Sequence, residues 1–199
     1  MMKTFWNVRY IEDELAYGEA PNQFFAEQLE KIKKPGRILL PLEGQGRNAV
    51  YAAKLGWQVT AFDFSEEAKK TAESLAMKEG VKVDYHLSAI EDFDFGIEQY
   101  DVIALIFAHL PIEVRKIAHQ KMIKALKNDG QLILEGFEKK QILFNSGGPK
   151  KEAMLYDIVS VLEDFSELRT ALCKECFSEL NEGKYHHGKA ALVRYIGVK

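Results

Sequence analysis

The hexapeptide GQGRNA, residues 44–49, sets two glycines two positions apart ahead of a run of small residues, and Asp63 closes the next apolar stretch. Glycines at that spacing let a ligand approach the main chain closely, and a helix N-terminus behind them offers free amides and partial positive charge. An acid at the end of the following strand is placed to accept hydrogen bonds from ribose hydroxyls. That chemistry suits a pyrophosphate or, equally, the carboxylate and sugar of S-adenosylmethionine. The same residues also allow a plain strand-to-helix turn, with Asp63 acting only as the cap of the next helix.

Further along, His109 follows an apolar run and is the candidate general base, able to accept a proton from a thiol, hydroxyl or amine; the alternative is a histidine hydrogen-bonded to its own loop. Tyr17 and Trp6 bring aromatic faces from the N-terminal segment, either to a sulfonium cation or simply to pin that segment to the core. Gly147, Gly148 and Pro149 mark a loop that, with His186, is expected to shape an acceptor pocket, or else to be surface turn and strand. Cys173 and Cys176 are the only cysteines and lie in an extended stretch, which argues against a redox pair or a thiolate zinc site. No cluster of His, Cys and carboxylate has metal-ligand spacing, so no metal is expected.

These residues need elements to position them. Short apolar runs at Arg37–Leu42, Gln58–Asp63, Val81–Leu87, Asp101–Phe107 and Gln131–Phe137 read as strands buried on both faces, the mark of a parallel sheet covered by helices. Helices are predicted at Asn22–Lys33, at Arg47–Leu55 ahead of Gly56, at Ser65–Glu79 with Ser65 as N-cap and Gly80 beyond, and at Glu113–Leu126 ahead of KNDG. A helix is also expected at Glu152–Glu163. Ser166–Leu180 and Tyr185–Val198, joined by NEGK, read as an antiparallel hairpin. The fold class is therefore α/β, a doubly wound, mostly parallel seven-stranded sheet with an antiparallel C-terminal hairpin. One domain is expected over residues 1–199, with 1–21 an arm that has no place in the sheet and folds over the cofactor.

Taken together, WNVRY (6–10), YGEAPNQF (17–24), EGQGRNAV (43–50), VTAFDFS (59–65), YDVI (100–103), FAHLP (107–111), LILE (132–135), SGGP (146–149) and EGKYHHGKA (182–190) make the chain resemble class I S-adenosylmethionine-dependent methyltransferases. The branch it resembles is the tellurite-resistance-like and thiopurine-methyltransferase-like one. The resemblance implies a Rossmann-like methyltransferase fold and S-adenosyl-L-methionine as cofactor, with S-adenosyl-L-homocysteine as product. It implies that Gly44, Gln45 and Gly46 border the methionine and sugar, Asp63 holds the ribose, Phe64 flanks the adenine, and Ala89 and Ile90 recognise its edge. Tyr17, Glu43, Asn48, Ser88 and Phe107 complete the expected cofactor-binding set. Two stretches depart from the family pattern. Leu40 and Leu42 stand where an acid and a glycine are usual, and SAIE (88–91) has no aspartate for the adenine amino group.

Composition limits the alternatives. A net charge of -3 with interspersed signs provides no stripe for nucleic acid or an anionic membrane. The longest apolar run, Val102–Ala108, is far shorter than the ~20 residues of a membrane span, so a cytoplasmic protein is expected. The expected activity is methyl transfer to a small molecule, with a thiol, thiopurine or chalcogen anion favoured. An NAD(P)-dependent oxidoreductase and a non-catalytic S-adenosylmethionine-binding module are the alternatives, and the oligomeric state is left open.

Overall fold

The computed structural model describes residues 2–12 and 15–199. Strands β1 (Arg37–Pro41), β2 (Gln58–Asp63), β3 (Asp84–Leu87), β4 (Tyr100–Ile106), β5 (Leu126–Phe137), β6 (Arg169–Asn181) and β7 (His187–Val198) form one sheet in the order β3-β2-β1-β4-β5-β7-β6. β1 to β5 pair in parallel, and β7 runs antiparallel between β5 and β6. The helices are α1 (Met2–Glu12), α2 (Gln23–Leu29), α3 (Arg47–Lys54), α4 (Glu66–Lys78), α5 (Ile112–Ala125) and α6 (Ile158–Asp164). The expected doubly wound, mostly parallel sheet with its C-terminal hairpin is what the chain forms.

Two apolar layers sandwich the sheet because successive strand residues point to opposite faces. Leu39, Ile103, Leu105, Leu132 and Leu134 pack with Ala118 and Met122 of α5, Val161 of α6 and Phe165 just beyond it. Their alternates Ile38, Leu40, Val102, Ala104 and Ile133 pack with Phe25 and Leu29 of α2, Ala49 and Ala52 of α3, and Ala72 of α4. Leu40 thus fills the core, a use of that position that an acid could not serve.

Element ends follow local chemistry. The Ser65 hydroxyl accepts the Ala68 amide and starts α4, and Asn22 accepts the Phe25 amide and starts α2. The predicted helix over 152–163 is shorter: Asp157 caps it by accepting the Ser160 amide, and a 3-10 turn at Glu152–Met154 precedes buried Leu155 and Tyr156. β5 starts five residues earlier than its apolar run, since Leu126 already pairs with Tyr100 across a register shift. The N-terminal segment contains a helix, α1, which packs against α4. No described helix is long and apolar enough to cross a membrane.

Candidate active site

Strand order reverses between β1 and β4, and in such sheets ligands bind beyond the strands' carboxyl ends at that point. The loop after β1 is built there. Leu42 adopts φ 53 and Gly44 φ 63, so a leucine stands in the left-handed conformation at the position where the family pattern has glycine. Glu43 turns its carboxylate onto the start of α3, where Oε1 accepts the Asn48 and Ala49 amides, each at 2.8 Å, and Oε2 accepts the Asn48 side-chain amide. Two of the helix's free donors are therefore already used by an internal anion. Burial pushes the Glu43 carboxyl up to about 7 against those hydrogen bonds and nearby Arg47.

The two glycines have different jobs. At Gly46 a Cβ would lie 2.6 Å from the Ala72 Cβ, so this glycine serves the close packing of α3 on α4. At Gly44 it would meet the Tyr10 hydroxyl at 2.8 Å, so this glycine keeps the main chain open toward the arm. Gln45 does not face a sugar here: its Oε1 accepts the Ala16 amide at 2.9 Å. Asn48 likewise accepts the Asn22 amide at 2.9 Å, and Arg47 donates to the carbonyls of Tyr17 and Ala20. The crossover loop thus holds residues 16–22 of the arm over itself.

Asp63, 4% exposed at the end of β2, accepts the Gly44 amide on Oδ2 at 3.2 Å and the Ser65 amide on Oδ1 at 2.9 Å. A carboxylate has about four lone-pair sites, so it keeps acceptor capacity beyond these amides. Burial raises its titration from 3.8 to about 6, opposed by the Ser65, Gly44 and Phe64 amides. Tyr10 of α1 is buried beside it, and burial and the Asp63 charge push its phenol well above the ordinary value. Phe64 follows, half-buried. On the neighbouring loop the Ser88 amide donates to the Asp63 carbonyl, and the Ala89 carbonyl accepts from the Ser88 hydroxyl and from the Asp92 and Phe93 amides. The Ile90 side chain is core, so main-chain groups are what this loop offers an adenine edge.

His109 needs correction as a general base. Its Nδ1 donates to the Met154 carbonyl at 2.8 Å and its Nε2 accepts the Phe137 amide at 3.2 Å, which fixes the tautomer and uses both nitrogens. Burial pushes its pKa down to about 4. It ties the β4 and β5 ends to the 3-10 turn and has no nitrogen left for a substrate proton.

The residues expected at an acceptor pocket do converge. The His186 ring lies 4.4 Å from both Tyr17 and Phe107 and 5.2 Å from Phe137. Phe107 holds φ 53 at the end of β4, an uncommon conformation for a bulky residue, of the kind found at functional sites. Gly147 and Gly148 close over this cluster, since a Cβ would meet the His186 ring at 2.7 Å and the Phe137 ring at 2.8 Å respectively. Trp6 stacks on Tyr10 at 5.5 Å and reaches Tyr17 at 6.4 Å, joining α1 to the same aromatic group.

Sequence reasoning missed the polar frame beneath. Arg47 Nη2 pairs with Glu182 Oε2 at 2.7 Å, and Asn22 donates to Glu135 at 2.6 Å and to Glu182 at 2.9 Å. Glu135 is 1% exposed and paired with Arg194. A cavity of about 250 Å³ opens beside this frame, lined by Tyr17, Asn22, Glu135, Glu182 and Arg194 among others. The one sequence signal was charge placed inside motifs: Arg47 within GQGRNA and Glu182 in the hairpin turn.

Residues 43–130 match the family model described as a methyltransferase domain. No curated protein matches the chain in sequence. TehB from Haemophilus influenzae superposes with a TM-score of 0.72 at 19% identity over 90% of this chain, which spans 62% of TehB's length. A SAM-dependent methyltransferase from Methanosarcina mazei gives 0.72 at 16% identity, covering 90% of this chain and 98% of that one. A structure from the conversion of a disulfide bond into a thioacetal group during echinomycin biosynthesis gives 0.78 at 14%, covering 100% and 92%. The fold is the Rossmann-like methyltransferase fold, and the match of residues 43–130 to a methyltransferase-domain model implies S-adenosylmethionine as cofactor. The residues fit that group: a ribose-type carboxylate with spare capacity, main-chain groups at the adenine edge, and aromatic faces at the sheet's carboxyl end.

Proposed function

We propose that the chain transfers a methyl group from S-adenosylmethionine to a small nucleophile, with a thiol, thiopurine or chalcogen anion favoured. The observation that carries this reading is Asp63, buried at the end of β2 and aimed by Gly44 and Ser65 amides with acceptor capacity to spare. The bound cofactor supplies an electrophilic methyl group on a sulfonium, so the protein's task is alignment and exclusion of water. Gly44, Asp63, Phe64 and the 88–90 loop hold the adenosyl part, and Phe107 and Tyr17 flank the methyl end.

Glu43 weighs against the nicotinamide alternative. A dinucleotide sets its pyrophosphate on free amides at this helix start, and here two of those amides already serve a carboxylate. The arm is the cover of the site: Tyr10 lies on Gly44 beside Asp63, and residues 16–22 are fastened by Gln45, Arg47 and Asn48. α1 therefore shifts to admit the adenosyl group and closes behind it. The acceptor preference rests on the aromatic lining, and TehB's likeness in fold is consistent with it.

Calorimetric titration with S-adenosylmethionine and S-adenosylhomocysteine, with NAD and NADP as controls, tests this. Micromolar binding of the adenosyl ligands alone, weakened in Asp63→Ala, is the expected result. Binding of a nicotinamide cofactor instead overturns the reading. Trypsin cleavage within residues 1–21 should slow when the cofactor is bound, and unchanged cleavage refutes the cover.

A further inference from the structure

We infer that Asn22 is the positioning residue of the site's cover: its side-chain amide joins the sheet to the hairpin turn and so seats the arm, with Tyr17, over the site. What the arm encloses rests on the methyltransferase reading above, whereas the joint itself stands on contacts alone.

Asn22 is 1% exposed, and every polar group it has is engaged. Its main-chain amide donates to Asn48 Oδ1 at 2.9 Å, its carbonyl accepts the Ala26 amide at 3.0 Å, and its Oδ1 accepts the Phe25 amide at 2.9 Å. The last of these is the N-cap of α2, a task that serine or aspartate performs about as well. The side-chain nitrogen has a different task, which neither of those residues can do. It donates to Glu135 Oε1 at 2.6 Å and to Glu182 Oε1 at 2.9 Å, so one NH2 spends both hydrogens on two carboxylates from distant parts of the chain. Burial pushes the Glu135 carboxyl up, Arg194 and Asn22 pull it down, and the Glu182 charge adds to the rise. Burial works to raise Glu182 as well, but His186 and Arg47 outweigh it and hold it at about 2, so it is ionised at physiological pH.

Each acid has its own arginine, Arg194 of β7 for Glu135 and Arg47 of α3 for Glu182, but among the described residues Asn22 alone donates to both. His186 faces Glu182 from the far side of the turn, and Glu19 and Glu179 stand on the wall of the 250 Å³ cavity that opens beside the joint. The ladder between β5 and β7 ends at Phe137 and Leu192, short of the turn, so the turn depends on side chains for its seat. Arm and turn then meet main chain to main chain, since a Cβ on Gly183 would lie 2.5 Å from the Gly18 nitrogen. Tyr17, one residue earlier, holds its ring 4.4 Å from that of His186. Freeing the turn from β5 therefore loosens Tyr17 and the arm around it.

Asn22→Asp separates the joint from the cap, because aspartate starts α2 as well as asparagine does but brings an acceptor where the NH2 was. Beside two carboxylates its folded value is raised above the unfolded one. Its contribution is therefore complete at low pH, where the protonated acid donates in place of the amide, and is lost as pH rises through the folded value. Amide hydrogen exchange over residues 15–22 reads this on the cofactor-free chain, as the ratio of variant to wild-type rates. That ratio should be about tenfold at about pH 7.5 and should fall toward one at about pH 5. Asn22→Ser keeps the cap and adds no charge, so its ratio should be raised and level with pH. A residue that only caps α2 leaves Asn22→Asp at wild-type rates throughout, and that result overturns the joint. Wild-type exchange in Asn22→Ser overturns it equally, which keeps the test decisive where Asn22→Asp fails to fold. The second readout is the affinity for S-adenosylhomocysteine by calorimetry, again as a ratio of variant to wild type, which cancels the Asp63 titration that both share. Asn22→Asp should bind about tenfold more weakly at about pH 7.5 and about equally at about pH 5. Equal affinity at both values overturns Asn22 as the residue that positions the cover. If the wild-type chain binds no adenosyl ligand, the methyltransferase reading fails, and the exchange ratios alone decide the joint.

Discussion

Asp63 makes a stability measurement report on the residue proposed to hold the ribose. Its carboxyl titrates at about 6 in the folded chain because burial outweighs three main-chain donors, against 3.8 for the ordinary side chain. An acid whose folded value lies above its unfolded value contributes stability that is complete below the unfolded value and is lost as pH rises through the folded one. About two pH units at ~1.4 kcal/mol each give roughly 3 kcal/mol. Asp63→Asn cannot titrate. The unfolding free energy of the variant minus that of wild type should therefore climb by roughly 3 kcal/mol between about pH 4 and about pH 7.5. A fixed cost of about 1–3 kcal/mol, from an amide NH2 facing the Gly44 amide, shifts the whole curve without changing its slope. Urea unfolding followed by the fluorescence of buried Trp57 gives the difference at each pH. A difference that is flat across that range refutes the claim that burial controls this carboxyl. Cofactor affinity in the wild type should fall about tenfold for each pH unit below about 6, because ribose hydroxyls donate to the ionised form.

Other perturbations separate framework from chemistry. His109→Ala should cost about 1–3 kcal/mol in urea unfolding by orphaning the Phe137 amide and the Met154 carbonyl, with adenosyl-ligand affinity kept; full stability with lost turnover would restore it as a base. Gly46→Ala should destabilise by about 2–4 kcal/mol, from a Cβ 2.6 Å off Ala72 and a φ of 86, and a thermal melt at the wild-type temperature would contradict the packing argument. Arg47→Met should cost about 3–5 kcal/mol by removing the arginine counter-charge of Glu182 at a largely buried site. The same change should speed protease cleavage in residues 15–22, and unaltered cleavage would mean that Arg47 does not fasten the arm.

Much of the sheet was legible because its signals are local. Apolar runs of strand length, Ser65 ahead of α4 and Asp63 closing β2 need only neighbouring residues to be read. α1 was not legible: Phe5, Val8 and Ile11 are exposed while Tyr10 is buried, so its apolar residues ring the helix and form no stripe. The roles of His109 and His186 could not be divided from sequence, since both follow apolar or turn segments near glycines. What separates them is tertiary. Met154, 45 residues away, takes one nitrogen of His109, whereas the Glu182 carboxylate stands 3.5 Å from Nδ1 of His186. Gln45 and Asn48 show the opposite error: their motif points to a ligand, and their side chains instead hold the arm.

The place of β7 has a consequence for how the chain matures on the ribosome. β6 is synthesised first, yet it joins the sheet only through β7, which lies between it and β5. Until β7 has emerged, β6 is an unpaired ribbon with Phe177 exposed, and the turn carrying Glu182 and His186 has no fixed address. A nascent chain halted before β7 would own a five-stranded parallel half with Asp63 in place at the end of β2. It would lack the turn that carries Glu182 against Arg47. Premature termination there should leave a product whose arm is held less firmly, since Arg47 and Asn22 would have no Glu182 to donate to.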